Sequence, residues 1–73
     1  MKITYDPSAD AAYIYLADSI RPGGVKKTYM CDRLEVGTMV NLDIDEEGRI
    51  VGVEVLSASS HLPKSILKSA TQI

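Results

Sequence analysis

The sequence predicts an α+β domain: a small antiparallel sheet of four to five short strands, arranged as hairpins, with one C-terminal helix. Three observations predict it. Apolar and polar residues alternate at period two through several stretches before Leu56. The turn-forming stretches PSAD, RPGG and DEEG punctuate that alternation. After Leu56 the apolar spacing becomes helical, with Leu62, Ile66 and Ala70 at i, i+4 and i+8.

KITYD (residues 2–6) sets Ile3 and Tyr5 on one face and reads as a strand. In PSAD, Pro7 fixes φ, while Ser8 and Asp10 can bond to nearby backbone. AAYIYLAD then puts Ala12, Ile14 and Leu16 on one side and Tyr13 and Tyr15 on the other. A helix from Asp10 competes with this reading, but Tyr-Ile-Tyr favours a strand, so these two segments form a hairpin. RPGG (21–24) is a loop, and VKKTYMC (25–31) alternates as a third strand. DRLEVG (32–37) reads as a connection with room for a short extended piece. MVNLDI (39–44) is a strand with Val40, Leu42 and Ile44 on one face. RIVGVEVL (49–56) returns the chain, and Gly48 supplies the left-handed residue of the turn between them.

The C-terminal segment reads as one amphipathic helix over residues 60–72. Pro63 sits in a tolerant first turn, Ser59 or Ser60 are the candidate caps, and Lys64 and Lys68 point away from the apolar stripe. The expectation is therefore one domain over 1–73, with the sheet in 1–56. The last strand is apolar on both faces, Val51, Val53 and Val55 on one and Ile50 and Leu56 on the other. A half-buried strand should alternate more cleanly, so the helix is expected to cover one face and the sheet core or a second subunit the other.

The chain has 73 residues, 45% of them hydrophobic and 25% charged, which is a globular composition. A chain this short buries only roughly 60% of its unfolded surface, so self-association as a homodimer is expected to help it. The formal charge of −2 argues against broad binding to a phosphate backbone. Cys31 has no partner for a disulfide, and no His or CxxC neighbour activates it, so it reads as a small hydrophobe in a reducing compartment. MKITYDP is polar by its fourth residue, and no apolar run approaches the ~20 residues of a membrane span. The expectation is a soluble cytoplasmic protein.

DIDEEGRIVGVE (43–54) can be laid onto a calcium-binding EF-hand loop, with Asp43, Asp45 and Glu47 at its first, third and fifth positions. Gly48 falls on the sixth position and Glu54 on the twelfth. The flanks are β-formers at strand period, not helices, and Glu47 departs from the Asp or Asn of the pattern. In an extended hairpin Glu54 would lie on the order of 20 Å along the strand from the turn. The stretch reads as a hairpin with an acidic, solvated tip, and no metal or cofactor is expected.

KITYDPSADAAYIYL and DIDEEGRIVGVEVLSAS together resemble the two ends of domain-of-unknown-function family 2283, a small prokaryotic domain. The opening pattern K-I-x-Y-D-x-x-x-D-x-x-Y-I-x-L is matched by Lys2, Ile3, Tyr5, Asp6, Asp10, Tyr13, Ile14 and Leu16. The closing pattern D-x-x-G-x-I-V-G-x-E-x-L is matched by Asp45, Gly48, Ile50, Val51, Gly52, Glu54 and Leu56. The resemblance extends to about Ser59; RPGG and CDRLEVG fill a variable middle, and the C-terminal helix lies outside the pattern. It implies an antiparallel sheet of short strands with a helix, and it brings no established activity. The family's association with genes for small, basic, toxin-like proteins implies an antitoxin-like partner.

Other constellations read more plainly as structure than as chemistry. Asp6 and Asp10 bracket the first turn and read as caps rather than an acid/base pair, with Asp10 bonding toward the Tyr13 region. His61 lacks metal-ligand partners at suitable spacing, and Ser57, Ser59 and Ser60 have no nucleophile-elbow context. Tyr13 and Tyr15 share a face near Arg21, Lys26 and Lys27, which gives single-stranded nucleic-acid binding as one alternative. The leading expectation is a non-enzymatic protein-interaction or self-associating module. Its candidate partner-binding residues are Asp43, Asp45, Glu46 and Glu47 at the acidic turn, with Tyr13 and Tyr15. In the antitoxin-like version, the acids mask a small basic protein together with an apolar patch from the helix.

Overall fold

A computed structural model describes residues 1–73. The elements in chain order are β1 (Lys2–Asp6), β2 (Ala11–Tyr15), β3 (Lys27–Met30), α1 (Arg33–Val36), β4 (Val40–Ile44), β5 (Ile50–Leu56), α2 (Ala58–His61), α3 (Lys64–Ser69) and β6 (Thr71–Gln72). The strands form one sheet in the order β3-β4-β5-β2-β1-β6. Every pairing is antiparallel except β1 with β6. The class is α+β, with six strands where four to five were expected.

The two hairpins form where turn chemistry stands. Asp6 Oδ1 accepts from the Ser8 N–H at 3.0 Å and the Ser8 hydroxyl at 2.7 Å. Asp45 Oδ1 accepts from the N–H groups of Glu47 and Arg49, both at 2.9 Å. Gly48 follows with φ 83°, the left-handed geometry this turn needs. β2 and β5 then pair at the sheet centre, so the hairpins join side by side.

Three sequence expectations give way. DRLEVG is helical, not extended: Asp32 caps α1 by accepting from the Leu34 N–H at 2.9 Å, and Gly37 ends it at φ 92°. Capping at both ends outweighs the β preference of Val36. The single helix over 60–72 is replaced by α2, α3 and β6. Pro63 divides it, because the residue before a proline is pushed out of the helical region, and Leu62 is extended at φ −110°, ψ 149°. Ser59 and Ser60 lie within α2 rather than capping it; Ser57 stands at the cap with a left-handed backbone (φ 51°) and no side-chain cap bond. After Ala70 the chain extends and adds β6 along β1, with Thr4 opposite Thr71.

The crossover from β5 to β6 carries α2 and α3 over one face of the sheet. Ala12 and Val55 of the sheet meet Ala58 of α2 in the buried apolar core, with Tyr5, Val40, Val53, Leu62 and Leu67 packed around it. No side chain larger than alanine is fully buried. The last strand was expected to be covered on both faces, yet Ile50 is 46% exposed at the hairpin end. No helix is long and apolar enough to cross a membrane.

Candidate functional site

Strand register sorts the helix-bearing face into rows. Val40, Val55, Ala12 and Tyr5 stand opposite one another across β4, β5, β2 and β1. These are the residues that α2 and α3 cover. One step further from the helices, Tyr29, Leu42, Val53, Ile14 and Ile3 stand in register across five strands. Period-two alternation puts this second row on the same face. None of its members is buried, and Tyr29 is 55% exposed. Leu16, 50% exposed, continues the apolar surface toward the end of β2. The helices therefore roof the first row and leave the second half-buried, with Val53 still packed against the core and Tyr29 open to solvent.

The chain exposes 5205 Å². A folded monomer of 7.9 kDa is expected to expose about 4,400 Å², so roughly 800 Å² is in excess. It is spread over the chain: Met1, Met30, Leu34 and Ile73, none of them on this row, are the most exposed large apolar side chains.

The opposite face is polar and internally bonded. Tyr13 leans across Gly52 on β5 and donates from its hydroxyl to Asp43 Oδ2 on β4 at 2.6 Å. The Thr28 hydroxyl donates to Asp43 Oδ1 at 2.7 Å. Asn41 Nδ2 donates to Glu54 Oε1 at 2.9 Å, while Asn41 Oδ1 is buried without a donor. Burial, followed by the bond to the Asp43 carboxylate, pushes the Tyr13 phenol well above its ordinary pKa. The Tyr15 ring meets Tyr13 edge-on at 4.8 Å, and Lys2 Nζ lies 5.1 Å from the Tyr15 ring centroid.

A third cluster ties the first hairpin to α2. Asp10 has a left-handed backbone, φ 50°. Its carboxylate accepts from the Tyr5 hydroxyl at 2.7 Å, the Ser59 hydroxyl at 2.7 Å and the Ser59 N–H at 3.0 Å. Its carbonyl accepts from the Ala58 N–H at 2.9 Å. The Tyr5 bond, then the Ser59 bonds, hold the Asp10 carboxyl below its ordinary pKa. The sequence had directed Asp10 toward Tyr13; it serves Tyr5 and Ser59 instead. His61 Nδ1 meets the Ser57 carbonyl at 2.9 Å.

The structure separates the residues assigned to the acidic turn. Asp43 is half-buried and engaged by two hydroxyls, so it is no part of a solvated tip. Asp45 closes the turn by accepting backbone N–H groups. Glu46 and Glu47 alone stand free in solvent at the tip, Glu47 3.7 Å from Arg49. Tyr13 and Tyr15 do share a face, but Tyr13 is held over Gly52 rather than presented for stacking. The second row escaped the sequence reading. Period-two alternation gives each strand its two faces, but only the register lines these five residues up.

The chain matches the family model described as "Protein of unknown function (DUF2283)" over residues 2–59. It is also 32% identical, over 60 residues, to the uncharacterized protein YuzE of Bacillus subtilis (strain 168). That alignment covers 82% of this chain and 43% of YuzE, so the chain spans less than half the length of that relative. No solved structure matches the chain.

Proposed function

This chain belongs to the DUF2283 family of proteins of unknown function, and within it we propose that the domain is a non-enzymatic protein-interaction module. Its contact surface is the second row of the apolar face, centred on Leu42, Val53 and Ile14. One observation carries this reading: a five-residue row, fixed in register across five strands, none of whose members is fully buried. Burying that row in a partner removes apolar surface from water at about 25 cal/mol per Å². The other two clusters read as structural devices: Asp43 and Asp10 are both held by hydroxyls from neighbouring elements.

A photo-reactive amino acid placed at Tyr29, at the exposed end of the row, tests the reading. Irradiation in cells should give discrete protein adducts. The same group at Ser65, exposed on α3, is the control and should give none. Equal labelling at both positions, or no adduct at Tyr29, refutes the assignment of this face.

A further inference from the structure

We infer that residues 63–73 form a strap over the β1 edge that opens as a unit about the Leu62–Pro63 junction, while the other five strands and α2 stay folded. The strap comprises α3 and β6, and β6 closes the edge that β1 would otherwise present. The inference is independent of the Tyr29–Leu42–Val53–Ile14–Ile3 row and of its reading as a contact surface.

The two sides of the junction are held very differently. α2 is clasped to the first hairpin: the Asp10 carboxylate accepts from the Ser59 N–H and hydroxyl, and the Asp10 carbonyl accepts from the Ala58 N–H. Ala58 is fully buried. From Pro63 onward the one side-chain hydrogen bond, from the Ser69 hydroxyl to the Ile66 carbonyl at 3.0 Å, is internal to α3. The one ion pair of the chain lies elsewhere, between Glu47 and Arg49. No side-chain hydrogen bond or ion pair therefore ties the strap to the rest of the fold, and Lys64 and Lys68 stand in solvent.

The anchors of the strap are few. No residue of α3 or β6 is buried. Leu67 packs against the core, Thr71 and Gln72 pair with Thr4 and Tyr5, and the Ile73 N–H donates to the Tyr5 carbonyl at 2.9 Å. Packing between α3 and β1 is incomplete: a cavity of about 640 Å³ is lined by Tyr5, Lys64, Leu67, Lys68, Ala70 and Gln72. Few buried apolar contacts and solvent-exposed backbone bonds mark the low-stability end of a structure. The junction is already extended, with Leu62 at φ −110°, ψ 149° and Pro63 at φ −57°, ψ 143°. Pro63 has no N–H to lose. The strap can therefore swing away without breaking a helix. Opening uncovers the β1 backbone at Thr4 and Tyr5, and an uncovered strand edge is a template for another strand.

Native-state hydrogen exchange of the full wild-type chain, read amide by amide by NMR, tests this. The amides of Leu67, Ala70 and Ile73 donate to the carbonyls of Pro63, Ile66 and Tyr5 and should share one protection factor. That factor should lie at least about 100-fold below those of the central β2 and β5 amides and of Ala58. It should also fall less steeply with added urea, because opening a small unit exposes little surface. Strap amides as protected as β2 and β5, with the same urea dependence, would mean that the strap leaves only when the whole domain unfolds, and would overturn the inference. Loss of protection at Ala58 together with the strap would overturn the hinge at Leu62–Pro63. A labile Ile73 beside Leu67 and Ala70 that match the sheet would reduce the strap to a fraying end and overturn it as a unit.

Discussion

The Tyr13 ring lies across the backbone of Gly52, and its hydroxyl donates to Asp43 Oδ2 at 2.6 Å. Tyr13 stands opposite Glu54, and Asp43 stands opposite Gly52, so the phenol reaches diagonally over the central strand. A β-carbon on Gly52 would overlap the Tyr13 phenol. The glycine is required for space, not for backbone freedom: its φ is not among the positive ones.

Gly52→Ala should therefore expel the Tyr13 ring and break its bond to Asp43, destabilising the fold by about 2–4 kcal/mol. Urea unfolding measures this. In a Tyr13→Ala background the same substitution should add little, because the overlapping group has gone. A Gly52→Ala protein as stable as wild type would show that Tyr13 is not held over this strand.

Tyr13 should be a late-titrating tyrosine. Its pKa is raised in the folded state, so its contribution is fully present below the ordinary phenol pKa and is lost as pH rises through the folded value. An absorbance titration at high pH should lose its late component in Tyr13→Phe. An unchanged titration curve would count against the buried bond.

Asp10 makes the opposite pH prediction. Its folded pKa is depressed, so its contribution is present above the ordinary carboxyl pKa and fades as pH falls through the lower folded value. Asp10→Ala should lower the melting temperature at neutral pH and flatten the acid limb. Asp10→Asn should be milder, since asparagine tolerates the left-handed backbone and keeps one acceptor oxygen. Equal melting temperatures for wild type and Asp10→Ala would remove the clasp between the hairpin and α2.

Charge reversal at the β4–β5 tip should divide into two outcomes. Glu46→Lys and Glu47→Lys should change stability by no more than about 0.5 kcal/mol, because both side chains are in solvent and the Glu47–Arg49 pair is exposed. Asp45→Lys should loosen the turn, seen as faster amide exchange at Glu47 and Arg49, whose N–H groups lose their acceptor. Equal behaviour of all three would contradict the turn geometry. An electrostatic partner site can thus be probed at Glu46 and Glu47 without disturbing the fold.

Most of the local elements were legible in short stretches of sequence. Alternation located the first five strands, Gly48 located the central turn, and the KITYD and GRIVGVE patterns carried the family resemblance that the comparison bears out. These features are local: a strand's period and a turn's φ depend on a few adjacent residues. Local rules also misled at Asp32–Gly37, where two caps outweighed β propensity, and at 60–72, where Pro63 broke a good apolar stripe.

The long-range arrangements came only with the folded chain. Asp43 looked like one of several tip acids until register placed it beside Gly52, under the Tyr13 hydroxyl. Asp10 met Ser59, 49 positions along the chain, because the β5–β6 crossover brings α2 back over the first hairpin. The Tyr29–Leu42–Val53–Ile14–Ile3 row exists only once five strands are aligned in register. Strand pairing between distant segments is set by summed side-chain packing across the sheet, and no short window of sequence holds that sum.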